Sequence, residues 1–199
     1  MQWPRRRARD LQAGAPSTTV EPRPSELFTA RLRLRPLQVE DVDALHRLWS
    51  APTVRRFLWD GHVLGLEQTR DLAMQSAYLF EERGCGLWVA LDERQTVVGF
   101  CGYWLFREAH ELELLYGVDE SRWLQGYARE MAAALVSYGF EHLHLEEIRA
   151  STDLHNLASQ RTLLRLGFIP EAQSANPDKR KFRMPRQRRE VGEDGWQAA

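Results

Sequence analysis

Hydrophobic and polar residues follow regular patterns across Leu27–Met184, and these patterns predict a succession of strands and helices. Leucines alternate with arginines over Leu32–Leu37, which predicts a half-buried first strand. Apolar residues at helical spacing in Asp41–Pro52 predict a helix that ends at the proline. A second helix, with apolar residues on one face of Thr69–Phe80, follows a loop and ends at Gly84.

The middle of the chain changes to strand-like patterning. Three strand-like segments, Leu87–Leu91, Thr96–Phe106 and Glu111–Val118, are joined by short polar connections, as in an antiparallel meander. Apolar and small residues then share one face of Gln125–Phe140. This segment predicts an amphipathic helix that packs close to a sheet.

Further strand and helix signals complete the domain. Glu146–Thr152 predicts a strand, Asn156–Leu166 predicts a helix capped by Gly167, and Phe168–Glu171 and Lys181–Met184 predict the last two strands. The order β, α, α, β, β, β, α, β, α, β, β indicates an α+β fold with mixed α/β layers.

The two ends of the chain lack this patterning. Residues 1–26 contain four prolines and an arginine cluster at 5–7 and 9, with no apolar segment behind it. This composition predicts a disordered extension rather than a secretion signal. Residues 185–199 have the composition of a flexible tail. We therefore expect one folded domain over residues 27–184.

Composition narrows the class of protein. The chain has 199 residues, 27 Lys and Arg against 28 Asp and Glu, a net charge of −1 and 43% hydrophobic residues. This balance excludes a generally basic nucleic-acid binder and predicts a soluble, cytoplasmic protein with a sizeable core. Cys85 and Cys101 cannot build a disulfide framework, and no Cys/His cluster has zinc spacing. No apolar segment reaches the roughly 18 residues of a membrane span.

Candidate chemistry begins where the strand Glu111–Val118 leads into the helix near Gln125. Gly126 and Ala128 are small residues at the start of this helix, where free backbone N–H groups and the helix dipole can bind a phosphate. Packing explains such small residues more often than phosphate binding does. The segment is neither a P-loop nor a dinucleotide-binding fingerprint.

A second segment, Asn156–Phe168, changes this interpretation. The two segments together resemble the acetyl-CoA site of the GNAT superfamily of N-acetyltransferases, especially the branch that acetylates ribosomal-protein N-termini. The matching residues are Trp123, Gly126, Tyr127 and Ala128, then Asn156, Ser159, Leu166, Gly167 and Phe168, and the opening Thr29–Pro36 is also similar. The resemblance spans about Leu27–Glu171. It implies a GNAT-like acyl-CoA N-acyltransferase fold, with a mostly antiparallel sheet that contains a splayed parallel pair.

The resemblance also implies the reaction. Acetyl-CoA would be the co-substrate, with no metal, and the acetyl group would move to a primary amine of a protein N-terminus or a small molecule. In such folds the pantetheine arm pairs with strand backbone, and the loop amides take the pyrophosphate. The implied cofactor-binding residues are Tyr116, Gly117, Val118, Leu124, Gln125, Gly126, Tyr127, Ala128 and Asn156.

The strand Glu111–Val118 carries the candidate general base. Glu113 lies mid-strand on the face opposite Leu114, where a carboxylate can take a proton from the substrate ammonium directly or through water. Alternatively, Glu113 is a solvated strand residue or binds only the charge of the amine. Glu111 is the second choice as base.

Departure of the thiolate has a weaker candidate. Many relatives place a tyrosine seven residues after the asparagine, but here that position is Leu163, which cannot donate a proton. Ser159 can protonate the thiolate or position a water that does, although a serine in the first helical turn often only bonds backbone. A thiol pKa of about 8.5 means that no dedicated acid is strictly required.

The acceptor side is assigned by resemblance to the loop at residues 57–65. Phe57, Trp59 and Asp60 are its candidate substrate-binding residues, and Asp60 can either hold a cationic amine or cap the turn. The identity of the acceptor and the choice between monomer and homodimer stay open.

Other functions are consistent with the same sequence. The fold can serve as an acyl-CoA-binding sensor or assembly module without turnover, which Leu163 favours and Glu113 disfavours. The enzyme can instead use a longer acyl-CoA, or acetylate an antibiotic or polyamine. An RNA- or ribosome-binding protein would use the basic ends Arg5–Arg9 and Arg186–Arg189, and its binding would depend steeply on salt.

Overall fold

The computed structural model describes residues 24–106, 111–172 and 176–187. Most of the predicted N-terminal extension, including its arginine cluster, lies outside the described residues, as does the tail from residue 188 onward. The side chains of Asp60 and Glu111 are also outside the description.

A sheet of eight strands forms the centre of the described domain. The strands are β1 Leu27–Phe28, β2 Arg33–Pro36, β3 Leu87–Leu91, β4 Val97–Phe106, β5 Glu111–Val118, β6 Glu147–Asp153, β7 Ile169–Pro170 and β8 Lys179–Pro185. Their spatial order is β1-β2-β3-β4-β5-β6-β8-β7, and β5 with β6 is the parallel pair among antiparallel neighbours. The predicted α+β class, with a mostly antiparallel sheet and one parallel pair, is confirmed.

Helices flank this sheet close to the predicted places. They are α1 Val42–Ser50, α2 Pro52–Arg55, α3 Leu66–Arg83, α4 Tyr127–Glu141 and α5 Leu157–Leu166. Pro52 does not simply end the first helix but begins α2, because proline at a first helical position lacks only an N–H that would have no helical partner there. Gly84 and Gly167 end α3 and α5 in the left-handed conformation, with φ of 67° and 94°.

The parallel strands β5 and β6 separate along their length. They are paired at one position, Glu113 with Arg149. The predicted splay next to Tyr116 and Val118 is therefore confirmed.

The sheet also continues past the predicted end of the domain at Met184. Pro185 pairs with Glu147, and the N–H of Arg186 donates to the carbonyl of Glu146 over 2.8 Å. The ordered contacts thus reach two residues further than the sequence predicts.

Each face of the sheet has its own hydrophobic core. On one face, here called the α4 face, the buried residues include Tyr103, Leu114, Met131, Leu135 and Leu163. On the other, the α1 face, they include Leu45, Trp49, Leu72, Phe100 and Trp104. Both cysteines are buried. None of the helices described is long and apolar enough to cross a bilayer.

Close packing of α4 on the sheet depends on a small residue, as predicted. A Cβ at Gly139 would collide with the hydroxyl of Tyr103, which donates to the carbonyl of Leu135 over 2.8 Å. The missing side chain therefore lets a buried tyrosine reach the helix backbone.

Candidate active site

The connection from β5 to α4 is the loop predicted to bind phosphate. Asp119 Oδ1 accepts from the N–H of Ser121 over 2.9 Å, and Trp123 Nε1 donates to the carbonyl of Val118 over 2.9 Å. These bonds tie the loop to the end of β5. Leu124 is fully exposed with φ of 62°, and Gly126 has φ of 86°. This left-handed conformation strains leucine but not glycine.

The start of α4 is open to an incoming group. Residues 123–126 are exposed, and Gly126 as the N-cap has no side chain to bond the first-turn N–H groups. Among the described residues, a Cβ at Gly126 would meet one atom within 4 Å, Arg31 Nη2 at 3.6 Å. The loop therefore presents backbone donors and the positive end of the helix dipole to an anion.

The start of α5 is fixed by Asn156. Its Oδ1 accepts from the N–H of Ser159 over 3.1 Å, which makes Asn156 the N-cap of the helix. Leu163, one turn further along, is 1% exposed and packs in the core of the α4 face. The helix thus places Ser159, rather than a tyrosine, beside the gap.

Ser159 meets a phenol from β5. The hydroxyl oxygens of Tyr116 and Ser159 are 3.0 Å apart, and the Tyr116 hydroxyl also lies 3.3 Å from the Ser159 carbonyl oxygen. Burial raises the pKa of Tyr116 to about 12, although the hydrogen bond with Ser159 acts in the opposite direction. The phenol is therefore neutral and able to donate a proton at neutral pH.

Glu113 is buried, with 5% of its surface exposed. The alternative that it is a solvated strand residue is therefore wrong. Its Oε2 accepts a hydrogen bond from Ser151 Oγ over 2.5 Å, and Ser151 on β6 is exposed. The serine hydroxyl thus links the buried carboxylate to the protein surface.

The two polar pairs lie on opposite faces of the sheet. Glu113 is the direct cross-strand partner of Trp104, which belongs to the core of the α1 face. Tyr116, three residues along the same strand, packs against the core of the α4 face. The alternation of side chains along β5 produces this separation.

The loop predicted to contact the acceptor lies against the same aromatic residues. The ring centroid of Trp59 is 5.5 Å from that of Trp49 and 6.4 Å from that of Trp104, both edge-to-face. Trp59 also has a left-handed φ of 54°. Phe57 is half-buried, and the guanidinium carbon of Arg56 lies over its ring, 5.1 Å from the ring centroid. Trp59 therefore packs beside Trp104, the cross-strand neighbour of Glu113, while the side chain of Asp60 lies outside the described residues.

Several polar contacts of this region were not predicted from the sequence. They are the Ser151 hydroxyl on Glu113, the Tyr116 hydroxyl on Ser159, and Arg31 Nη1, which donates to the carbonyl of Gln125 over 2.9 Å. Each joins residues far apart in sequence, so local patterning carries no signal for it. Within the described ranges, no group of three or more His, Cys, Asp or Glu side chains is placed to hold a metal ion.

The sequence is also similar to those of known proteins. Residues 31–169 match the model of the acetyltransferase (GNAT) domain family. An uncharacterized N-acetyltransferase, p20, from Bacillus licheniformis is 30% identical over 160 residues, which cover 79% of this chain and 90% of that protein.

Solved structures share the fold. An acetyltransferase from Agrobacterium tumefaciens superposes with a TM-score of 0.71 at 25% identity, covering 86% of this chain and 100% of that chain. RimL, a ribosomal L7/L12 alpha-N-protein acetyltransferase in complex with coenzyme A, superposes with a TM-score of 0.65 at 20% identity, covering 79% and 95%. The resemblance inferred from the sequence is confirmed, and the chain belongs to the acetyltransferase (GNAT) domain family.

Proposed function

We propose that this protein is an N-acetyltransferase that moves an acetyl group from acetyl-CoA to a primary amine by direct attack in a ternary complex. The observation that carries the proposal is the gap between β5 and β6. A buried carboxylate with a serine lies on one face of this gap, and a tyrosine–serine hydroxyl pair lies on the other. Membership of the family supports acetyl transfer as the reaction class.

The residues along the gap fit acetyl-CoA. Beyond Glu113, β5 is not paired with β6, so the backbone of Tyr116–Val118 can bond the amides of a pantetheine arm as an added strand would. The Val118 carbonyl already accepts the Trp123 indole, but a carbonyl oxygen has two lone pairs. The exposed loop residues 124–126, together with the first residues of α4, Tyr127 and Ala128, fit the pyrophosphate.

Bound acetyl-CoA supplies the activated thioester whose acyl carbon the amine attacks. The amine must be neutral to attack, and we assign removal of its proton to Glu113. Because Glu113 is buried, the proton passes through Ser151: Ser151 Oγ accepts it, and the serine's own proton moves to Glu113 Oε2. Residues on the α1 face thus deprotonate the amine before it attacks.

On the α4 face, we assign protonation of the departing thiolate to Ser159 and Tyr116. Ser159 Oγ donates a proton to the departing thiolate, and the neutral hydroxyl of Tyr116 replaces the proton of the serine. The second proton that the acceptor nitrogen loses after attack returns through water to the Tyr116 oxygen, so that both hydroxyls end in their starting state. Asn156 keeps Ser159 in place by capping α5. This pair supplies the hydroxyl that Leu163 cannot.

Acceptors are proposed to enter past the aromatic loop. Phe57, Trp59 and Asp60 would form the wall that contacts the amine-bearing group. A protein N-terminus fits as one acceptor class, which the name of the RimL neighbour supports, and a small-molecule amine is the other.

A second candidate is an acyl-CoA-binding module without turnover. Leu163 favours it, since that position is buried and apolar where many relatives have a proton-donating tyrosine. Such a module would bind acetyl-CoA normally but would not release free CoA with any amine.

The experiment is calorimetric titration of acetyl-CoA into the full chain, followed by an amine screen for CoA release. Gly126→Glu adds strain and a carboxylate at the loop, so we expect at least a roughly 100-fold loss of affinity. Gly61→Glu is the matched control, because Gly61 is another exposed left-handed glycine, with φ of 76° and no neighbour within 4 Å of its Cβ position among the described residues.

The outcomes separate the hypotheses. Saturable binding that Gly126→Glu removes and Gly61→Glu retains, together with amine-dependent CoA release, supports the proposal. Binding without release by any amine favours the binding module. A folded wild-type chain that does not bind acetyl-CoA rules out both.

A further inference from the structure

The turn before β2 is fastened to helix α4. Thr29 and Leu32 close the turn with two hydrogen bonds of 2.9 Å, from the Thr29 N–H to the Leu32 carbonyl and from the Leu32 N–H to Thr29 Oγ1. Thr29 Oγ1 also donates to Glu130 Oε1 over 2.6 Å, across 101 residues of sequence. The start of the domain is therefore anchored on the first turns of α4.

Arg31 extends this anchor to the phosphate-binding loop. Its backbone N–H donates to Glu130 Oε1 over 2.9 Å, and its Nε and Nη2 donate to Glu130 Oε2 over 2.8 and 2.6 Å. Its Nη1 donates to the carbonyl of Gln125 over 2.9 Å, and its guanidinium carbon lies 4.3 Å from the ring centroid of Tyr127. The Arg31 side chain thus contacts Gln125 on one side of Gly126, and Tyr127 and Glu130 on the other.

The ion pair that orients Arg31 is kept in its charged form. Burial of Glu130 raises the pKa of its carboxyl, but hydrogen bonds from Thr29 and Arg31 oppose this and lower the pKa overall. A planar guanidinium bound by a carboxylate has little freedom to rotate. An N–H of Nη1, on the side of the guanidinium away from Glu130, is therefore directed at the Gln125 carbonyl.

Strain in the loop explains why such a contact matters. Leu124 and Gly126 are both left-handed, and the carbonyl that Arg31 binds belongs to the residue between them. A leucine in this conformation persists only where the surrounding structure holds it. Without the bond to Gln125, the loop would populate other conformations in which its N–H groups no longer converge.

We propose that Arg31 is a positioning residue for the acyl donor: by holding the Gln125 carbonyl, it keeps the loop between β5 and α4 in the conformation that receives the pyrophosphate. This inference rests on the proposed acetyl-CoA site. Arg31 acts through the loop backbone, and it raises affinity because less ordering is needed on binding.

The test uses the full chain with Arg31→Ala and Arg31→Lys. Lysine keeps the charge next to Glu130 but cannot bond both that carboxylate and the Gln125 carbonyl as the guanidinium fork does. The matched control is Arg70→Ala, since Arg70 also forms an exposed ion pair, with Glu67 at 2.6 Å, and the two arginine side chains are 41% and 42% exposed.

Acetyl-CoA affinity is measured by calorimetry, and kcat/KM is measured with acetyl-CoA and with S-acetylpantetheine, which lacks the pyrophosphate. We expect both Arg31 variants to bind acetyl-CoA about 10-fold or more weakly, with kcat nearly unchanged and the rate with S-acetylpantetheine within twofold of wild type. Arg70→Ala should match wild type throughout.

Two results would overturn the inference. One is acetyl-CoA affinity within twofold of wild type in a folded Arg31→Lys chain. The other is an equal loss with both donors, which would mean that Arg31 only stabilises the fold. If the wild-type chain itself fails to bind acetyl-CoA, the proposed function falls instead.

Discussion

The two faces of the sheet present different chemistry at the same gap. On the α1 face, a buried carboxylate, Glu113, reaches the surface through Ser151. On the α4 face, two neutral hydroxyls, Tyr116 and Ser159, bond each other. On the proposed function, the candidate base Glu113 and the hydroxyl of Tyr116 come from one strand, three residues apart, and lie on opposite faces of the sheet. Alternation along a single strand is enough to place a carboxylate and a neutral hydroxyl on opposite faces of the sheet.

The largest effect is expected from removing the charge on the α1 face. Glu113→Gln keeps the size of the side chain but cannot take a proton, so kcat should fall about 100- to 1000-fold at neutral pH. Acetyl-CoA affinity measured by calorimetry should stay near wild type, because the substitution lies outside the loop between β5 and α4. A kcat within threefold of wild type would show that Glu113 is not the base, and a raised KM for the amine alongside it would assign Glu113 to binding the amine's charge.

A smaller effect is expected from the α4 face, and it is read from alkaline stability. The folded pKa of Tyr116 is raised to about 12, above the ordinary value of 10 for an unfolded chain. The neutral phenol thus stabilises the fold fully below pH 10, and this contribution is lost as the pH rises to about 12. Denaturant unfolding of wild type should lose roughly 2–3 kcal/mol more over this range than Tyr116→Phe does.

Comparing wild type with Tyr116→Phe makes the measurement specific for the phenol of Tyr116. Burial also raises the pKa of Tyr103, but that residue is present in both proteins, so its contribution cancels. Equal losses in wild type and Tyr116→Phe would contradict the buried phenol.

At neutral pH, Tyr116→Phe and Ser159→Ala should each lower kcat by only about 10-fold or less, since a thiolate needs little help to leave.

The smallest effect is expected in the loop that leads into α4. Leu124→Gly removes the penalty of a left-handed leucine, which is about 1 kcal/mol, while glycine loses more entropy on folding. Thermal unfolding should show a stability change of at most about 1 kcal/mol, and kcat should not change. A larger loss of stability would mean that the exposed leucine side chain has a packing role.

Sequence patterning predicted the elements of the gap better than the contacts across it. The helix predicted to begin near Gln125, which the structure begins after Gly126, the cap at Gly167 and the strand that carries Glu113 follow from local periodicity and glycine conformations. The opposite placement of Glu113 and Leu114 follows from strand alternation. These features depend on neighbours within a few residues, which the sequence displays directly.

Contacts that join distant segments could not be predicted in the same way. Ser151 meets Glu113 only because β6 lies parallel to β5 in a particular register, and no local pattern specifies that register. Tyr116 was assigned through its backbone, and its hydroxyl gains a role only when α5 brings Ser159 within 3.0 Å. The burial of Glu113 likewise depends on the tertiary structure around it.

On the proposed function, the contact between Thr29 and Glu130 makes acetyl-CoA binding depend on two distant parts of the chain rather than on one loop. This hydrogen bond joins residues 101 apart in sequence, and closing so long a loop costs conformational entropy. The contact therefore forms only when the sheet is assembled. The two-residue strand β1 leads into that contact, and short terminal strands are the first to fray. Opening of this strand would loosen the anchor of Arg31 on α4 and would remove only Leu27 from the edge of the core on the α4 face. If acetyl-CoA binds at this loop as proposed, local unfolding at the start of the domain would therefore reduce its affinity before it lowers the melting temperature.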